Sequence, residues 1–212
     1  MVKQIKGRCT FCGGIFGKGA MKRHLESCKE RKVEPGKSKL FHIVVSAGVY
    51  WMHLDVSGNA ALKDLDGFLR NIWLECCGHL SAFTIAGVEY LSSPYEPGDK
   101  SMNVKLSKII SPEMKFIHEY DFGTTTELEL KVLSEREGRM DDNIEILARN
   151  EPPQLMCGKC GKPATQICSE CIWESDENGL LCDKCARKHE CGEDMMLPMV
   201  NSPRSGVCGY TG

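Results

Sequence analysis

The sequence predicts an α+β core, an antiparallel or mixed sheet with one main helix packed on it, flanked by two small cysteine-rich units. Three observations lead there. β-Branched and aromatic runs alternate with polar residues through the middle of the chain, with one helical stretch between them. All of the thirteen cysteines except Cys76 and Cys77 lie in the two ends, and eight of them form four Cys-x2-Cys pairs. Two breaks, "EPGKSK" (Glu34–Lys39) and "NEPPQ" (Asn150–Gln154), divide the chain into segments 1–34, 40–150 and 155–212.

The core elements follow in order. "LFHIVV" and "VYWMHLDV", separated by "SAG", predict a hairpin. In "NAALKDLDGFLRNIWLECCG", Leu62, Leu65, Leu69, Ile72 and Cys76 fall at helical spacing, with Asn59 as the expected cap and Gly78 as the stop. "LSAFTI" and "VEYL" predict a second hairpin, and "LSKII" a short helix. "KFIHEYDF", "ELELKVL" and "NIEILAR" alternate as strands. Strands interrupted by one main helix suit a helix-on-sheet core.

Composition is that of a soluble protein, 42% apolar and 26% charged. No apolar run approaches the roughly 18 residues that span a bilayer, and the basic start lacks the apolar stretch of a secretory signal. The expected location is cytoplasmic, where thiols stay reduced and a disulfide framework is not expected. Cys-x2-Cys pairs then read as grips for Zn²⁺. Charge is uneven. Residues 1–40 carry eleven Lys/Arg against three Glu, while the chain as a whole has net charge −2. A basic arm on an acidic body suggests a polyanionic partner.

At the amino terminus, Cys9, Cys12, His24 and Cys28 have zinc-finger spacing, and His24 and Cys28 share one helical face. Phe16 and Met21 stand as apolar plugs. This segment resembles the ββα Cys2His2 finger, with Cys28 replacing the second His. In that family bases are read from fixed helix positions, which here fall on Gly17, Ala20 and Arg23. Gly and Ala cannot read a base edge. Lys18, Lys22, Arg23, Lys29, Arg31 and Lys32 are therefore expected to contact phosphates of a nucleic acid or ribonucleoprotein without sequence preference.

At the carboxy terminus, Cys157, Cys160, Cys168, Cys171, Cys182, Cys185, His189 and Cys191 make eight ligands, enough for two tetrahedral ions. "CGKCGKPATQICSEC" and "LLCDKCARKH" resemble B-box and related cross-brace modules. The resemblance implies alternating pairs: Cys157, Cys160, Cys182 and Cys185 on one ion, and Cys168, Cys171, His189 and Cys191 on the other. It also implies a protein partner. The Cys171–Cys182 spacer is long, and Cys208 is an alternative eighth ligand. Three Zn²⁺ ions are expected in all.

"HIVVSAGVYWMHLDV", "LECCGHLSAF" and "YDFG" resemble the plasmid pRiA4b ORF-3-like family, which implies an α+β fold more than an activity. Members often continue after "YDFG" with Asp, Ser, Trp and a later His, whereas here Thr124, Thr125, Thr126 and Glu127 follow. Cys76, Cys77 and His79 cluster at the expected helix end. They fit a nucleophilic Cys–His pair, a further metal corner, or two small buried residues closing a helix. No third group that would orient a nucleophile is identifiable, and no phosphate loop, nucleophile elbow or His-Glu-x-x-His occurs. The expectation is a zinc-binding, non-catalytic adaptor that contacts nucleic acid. A protein-only adaptor stands second and an enzyme using Cys76, Cys77 and His79 third.

Overall fold

The period-two alternation of the middle segment becomes part of a ten-stranded sheet in a computed structural model that describes residues 5–174 and 179–212. The chain divides into two units: Met1–Asn71 with His79–Glu151, and Ile72–Gly78 with Pro152–Gly212.

The first unit contains β1 (Lys6–Cys9), β2 (Ile15–Gly17), α1 (Lys18–Ser27), β3 (Glu34–Ala47), β4 (Tyr50–Ser57), α2 (Leu62–Leu69), β5 (Ser81–Ile85), β6 (Val88–Leu91), β7 (Lys100–Ser101), β8 (Lys115–Tyr120), β9 (Thr126–Arg139) and β10 (Ile144–Asn150). The strand order is β2-β1-β10-β4-β3-β9-β8-β5-β6-β7, antiparallel except for β6 beside β7. It is an α+β architecture dominated by its sheet, with few helices. Among the described residues, no helix is long and apolar enough to cross a membrane.

Two faces of the sheet are set by register. Ile43, Val45, Met52, Leu54, Leu128, Leu130 and Phe116 belong to one, and each is buried. Helix α2 buries Leu62, Leu65 and Leu69. Its Asp66 accepts from Ser81 Oγ and from His118 Nε2, both at 2.7 Å, which fixes α2 to β5 and β8. Both partners are fully buried, so this is a structural pin closed to substrate. The helix is shorter than its apolar periodicity predicts. It begins after Ala61, whose N–H is held by Asp64 Oδ2 at 2.8 Å, and Asn59 does not cap it. After Leu69 it widens into a π turn, Arg70–Leu74, so Cys76 lies outside any helix.

The opposite face carries the amino-terminal segment. Two expectations are corrected here. Glu34–Lys39 is the start of the fourteen-residue β3 rather than a linker. Segment 1–34 is not separate from the core: β1 pairs with β10 through Gly7–Asn150, Arg8–Arg149 and Cys9–Ala148. Met21 and Leu25 of α1 share an apolar cluster with Trp51, Leu147 and Ala148, while Phe16 is only partly buried and stacks on His24 at 4.2 Å. A Cβ on Gly7 would strike the Arg149 carbonyl and the Trp51 ring, so this position needs glycine for the approach.

In the second unit, β11 (Gln166–Cys168) lies between β12 (Leu180–Leu181) and β13 (Met196–Pro198), with helix α3 at Asp183–Ala186. Its described apolar cluster is small: Cys157, Leu181, Cys182 and Ala186, with Cys185 and Met196 against it. Part of the long Cys171–Cys182 spacer lies outside the described residues.

Candidate metal centres

Four groups of soft ligands form, and in each the ligand atoms lie within 4.8 Å of one another. They are Cys9, Cys12, His24 and Cys28; Cys157, Cys160, Cys182 and Cys185; Cys168, Cys171, His189 and Cys191; and Cys76, Cys77, His79 and Cys208. Together they use every one of the thirteen cysteines and three of the six histidines. None of the cysteines is in a disulfide.

In the finger, β1 and β2 close a tight turn that presents Cys9 and Cys12, and α1 presents His24. Cys12 Sγ lies 3.2 Å from His24 Nε2, and Gly14 N–H donates to Cys12 Sγ at 3.4 Å. Around a tetrahedral Zn²⁺, sulfur–sulfur edges are about 3.8 Å and sulfur–nitrogen edges about 3.6 Å. Cys160–Cys182 and Cys171–Cys191 sulfurs are each 3.6 Å apart, and Cys171 Sγ is 3.3 Å from His189 Nε2. These edges fit a small ion, and a disulfide would require about 2.05 Å.

At Cys157 the electrostatics favour the thiolate. Burial raises the Cys157 thiol, but backbone N–H groups of Cys182, Lys159 and Cys160 outweigh it and bring it down to about 6. Amides aimed at sulfur stabilise the form that binds metal. Four soft ligands per site make closed tetrahedral sets suited to structural Zn²⁺.

The structure pairs Cys157/Cys160 with Cys182/Cys185 and Cys168/Cys171 with His189/Cys191. Cys191 completes the last set, and Cys208 instead joins Cys76, Cys77 and His79. Cys76 and Cys77 are not a buried closing pair, because Cys76 is half-buried and Cys77 exposed. Nor does Cys77 have the lowered pKa of an activated nucleophile. The Cys208 thiol, burial and the Cys76 thiol push it up to about 11.

Of the six basic residues expected to meet phosphates, Lys18, Arg23, Lys29 and Lys32 are exposed and Lys22 is half-buried. Arg31 is withdrawn. It donates to the buried Asp55 Oδ2, which also accepts from Arg136, and to the Leu25 carbonyl. The α1 amino end lies on the sheet, where His53 Nε2 reaches the Lys18 carbonyl at 3.3 Å. Sequence reasoning missed Lys115 and Lys131. They lie directly opposite each other on β8 and β9 and line, with Lys18, a hollow of about 350 Å³.

No family model and no curated protein matches the chain. Among solved structures, the crystal structure of the protein of unknown function MM3350 from Methanosarcina mazei Go1 is similar, with 17% identity and a TM-score of 0.44. The match covers 53% of this chain and 68% of that one.

Proposed function

We propose that the protein is a zinc-stabilised, non-catalytic adaptor that docks the phosphate backbone of a nucleic acid or ribonucleoprotein without reading its sequence. The observation that carries this reading is the hollow where Lys18 of the finger meets Lys115 and Lys131 of the sheet. Like charges directly opposite on neighbouring strands repel; Glu113 already offsets Lys131, and a phosphate in the hollow would offset Lys18 and Lys115. Exposed Arg23, Lys29 and Lys32 extend the positive surface over the finger. The finger's first unit would hold one Zn²⁺, and the cross-brace of the second unit two, leaving that unit to meet a protein. Thirteen reduced thiols suit a reducing compartment such as the cytoplasm.

Filter binding of RNA and DNA over a salt series tests it. Affinity is expected to be indifferent to sequence and to fall steeply with salt, since each neutralised phosphate releases counterions. In the variant Lys18→Glu/Lys115→Glu, binding weakens for all sequences and the salt slope falls by about one per lost contact. The control variant Lys159→Glu, in the second unit, leaves both unchanged.

A second reading, an adaptor for protein alone, is favoured by the acids around those lysines. Glu129 lines the same hollow, and Lys131 holds Glu113 at 2.6 Å. No nucleic-acid binding at low salt would select it. A strong preference for one sequence would contradict both.

A further inference from the structure

Cys76, Cys77 and Cys208 have no part in the three sites assigned above. The three thiols come from the second unit, two from the segment Ile72–Gly78 and one from the tail, and His79 is the next residue after that segment. Cys76 and Cys77 sulfurs are 3.8 Å apart, and Cys77 and Cys208 sulfurs 3.7 Å. These are the edges of a tetrahedron around an ion bound at about 2.3 Å. They are nearly twice the length of a disulfide, about 2.05 Å.

A second observation is independent of those distances. In the other three clusters a left-handed glycine directly follows a ligand cysteine: Gly13 after Cys12 (φ 71°), Gly161 after Cys160 (φ 68°) and Gly192 after Cys191 (φ 82°). The same turn recurs at Gly78 after Cys77 (φ 81°) and at Gly209 after Cys208 (φ 68°). Cys208 itself is left-handed, φ 50°. A side chain there is strained and persists where the surroundings demand it.

Charge supplies a third. Arg204 is fully buried, and its Nη2 lies 3.6 Å from Cys76 Sγ. A divalent ion on three thiolates and a neutral imidazole carries net charge −1. The Arg204 guanidinium beside it supplies the balancing charge that burial requires.

We propose that Cys76, Cys77, His79 and Cys208 form a fourth Zn²⁺ site, which fixes the last residues of the chain to the segment after α2. The site rests on the reading of the other three clusters as zinc sites. It is the most open of the four in its sulfurs, since Cys77 and Cys208 are both exposed, and it yields its ion to a chelator first.

Elemental analysis of the full chain and ¹¹³Cd NMR after exchange with Cd²⁺ test the proposal. Four ions per chain are expected, with one all-sulfur resonance and three of the three-sulfur, one-nitrogen type. Cys208→Ser and His79→Ala each reduce the count to three and remove one mixed resonance, with the other three unmoved. Three ions in the parent chain, or a count unaltered by both substitutions, overturns the fourth site alone. A parent mass lower by two hydrogens that is restored by reductant overturns it in favour of a Cys77–Cys208 disulfide. No bound zinc at all overturns the metal reading of every cluster.

Discussion

The finger and the second unit use the same ligand chemistry on very different foundations. The finger's ligands sit on a strand ladder with β10 and over an apolar cluster that includes Trp51, Met21, Leu25 and Leu147. The second unit has a three-stranded sheet of short strands, and in the described apolar cluster beside it two of the four buried residues, Cys157 and Cys182, are ligands. A small apolar cluster cannot offset chain entropy. The difference teaches that one arrangement of cysteines can decorate a fold in one place and constitute the fold in another.

Metal removal breaks this comparison most strongly. Structural Zn²⁺ contributes roughly 10–16 kcal/mol where folding and binding are one event. On treatment with a strong chelator, the amides of β11, β12 and β13 are expected to lose hydrogen-exchange protection completely. Those of β3, β4, β8 and β9 keep theirs, because their core contains no ligand. Loss of protection throughout the ten-stranded sheet would show that the first unit depends on metal as deeply as the second.

The next effect lies where the finger meets its sheet. Asp55 is 1% exposed and accepts from Arg31 after α1 and from Arg136 on β9. Asp55→Asn leaves two guanidinium groups without their counter-charge. Breaking a buried pair costs about 3–5 kcal/mol, so the urea midpoint of the first unit falls accordingly at saturating zinc. Arg31→Met/Asp55→Leu/Arg136→Met, which removes all three charges, costs less. If the single and triple substitutions are equal, the network does not hold the finger down.

How much of this was legible in the sequence differs by region for physical reasons. Ligand spacing is local, so Cys9, Cys12, His24 and Cys28 could be grouped from the chain alone. The strands could be read because period two is local as well. The docking of β1 on β10 could not, because pairing across about 140 residues leaves no local mark. The same holds for Cys208, which is 131 residues from Cys77 and in sequence stands nearer to the cross-brace. Glu34–Lys39 read as a linker because Pro and Gly are rare in strands. In the structure the β3–β9 register shifts between Glu34 and Ser38, and such irregularities accommodate those residues. Arg31 read as a phosphate contact because charge in sequence does not show which partner lies beneath it.

The smallest effect is a pH dependence confined to the finger's seat. His42 and His53 are buried on β3 and β4, with His42 Nε2 and His53 Nδ1 2.9 Å apart. The Lys18 carbonyl can only accept, so His53 Nε2 carries the proton and donates to it. His53 Nδ1 therefore accepts from His42 Nε2, and a second proton has no place between them. Burial lowers His42 to about 4, with the Asp55 charge opposing and the Arg31 and Lys22 charges assisting. Burial, then the proximity of His42, lowers His53 to about 3. In the unfolded chain both titrate near the ordinary value of about 6.5. Below that pH the unfolded state binds more protons than the folded one, so stability is lost as pH falls from 6.5 toward the folded values. Between pH 7 and 6 the loss is about 0.7 kcal/mol for each histidine. The imidazole resonances of His42 and His53 in zinc-saturated protein are expected to hold their neutral positions from pH 7.5 to 5.5. Titration of either with a midpoint near 6.5 would mean that the finger does not stay seated on the sheet in solution.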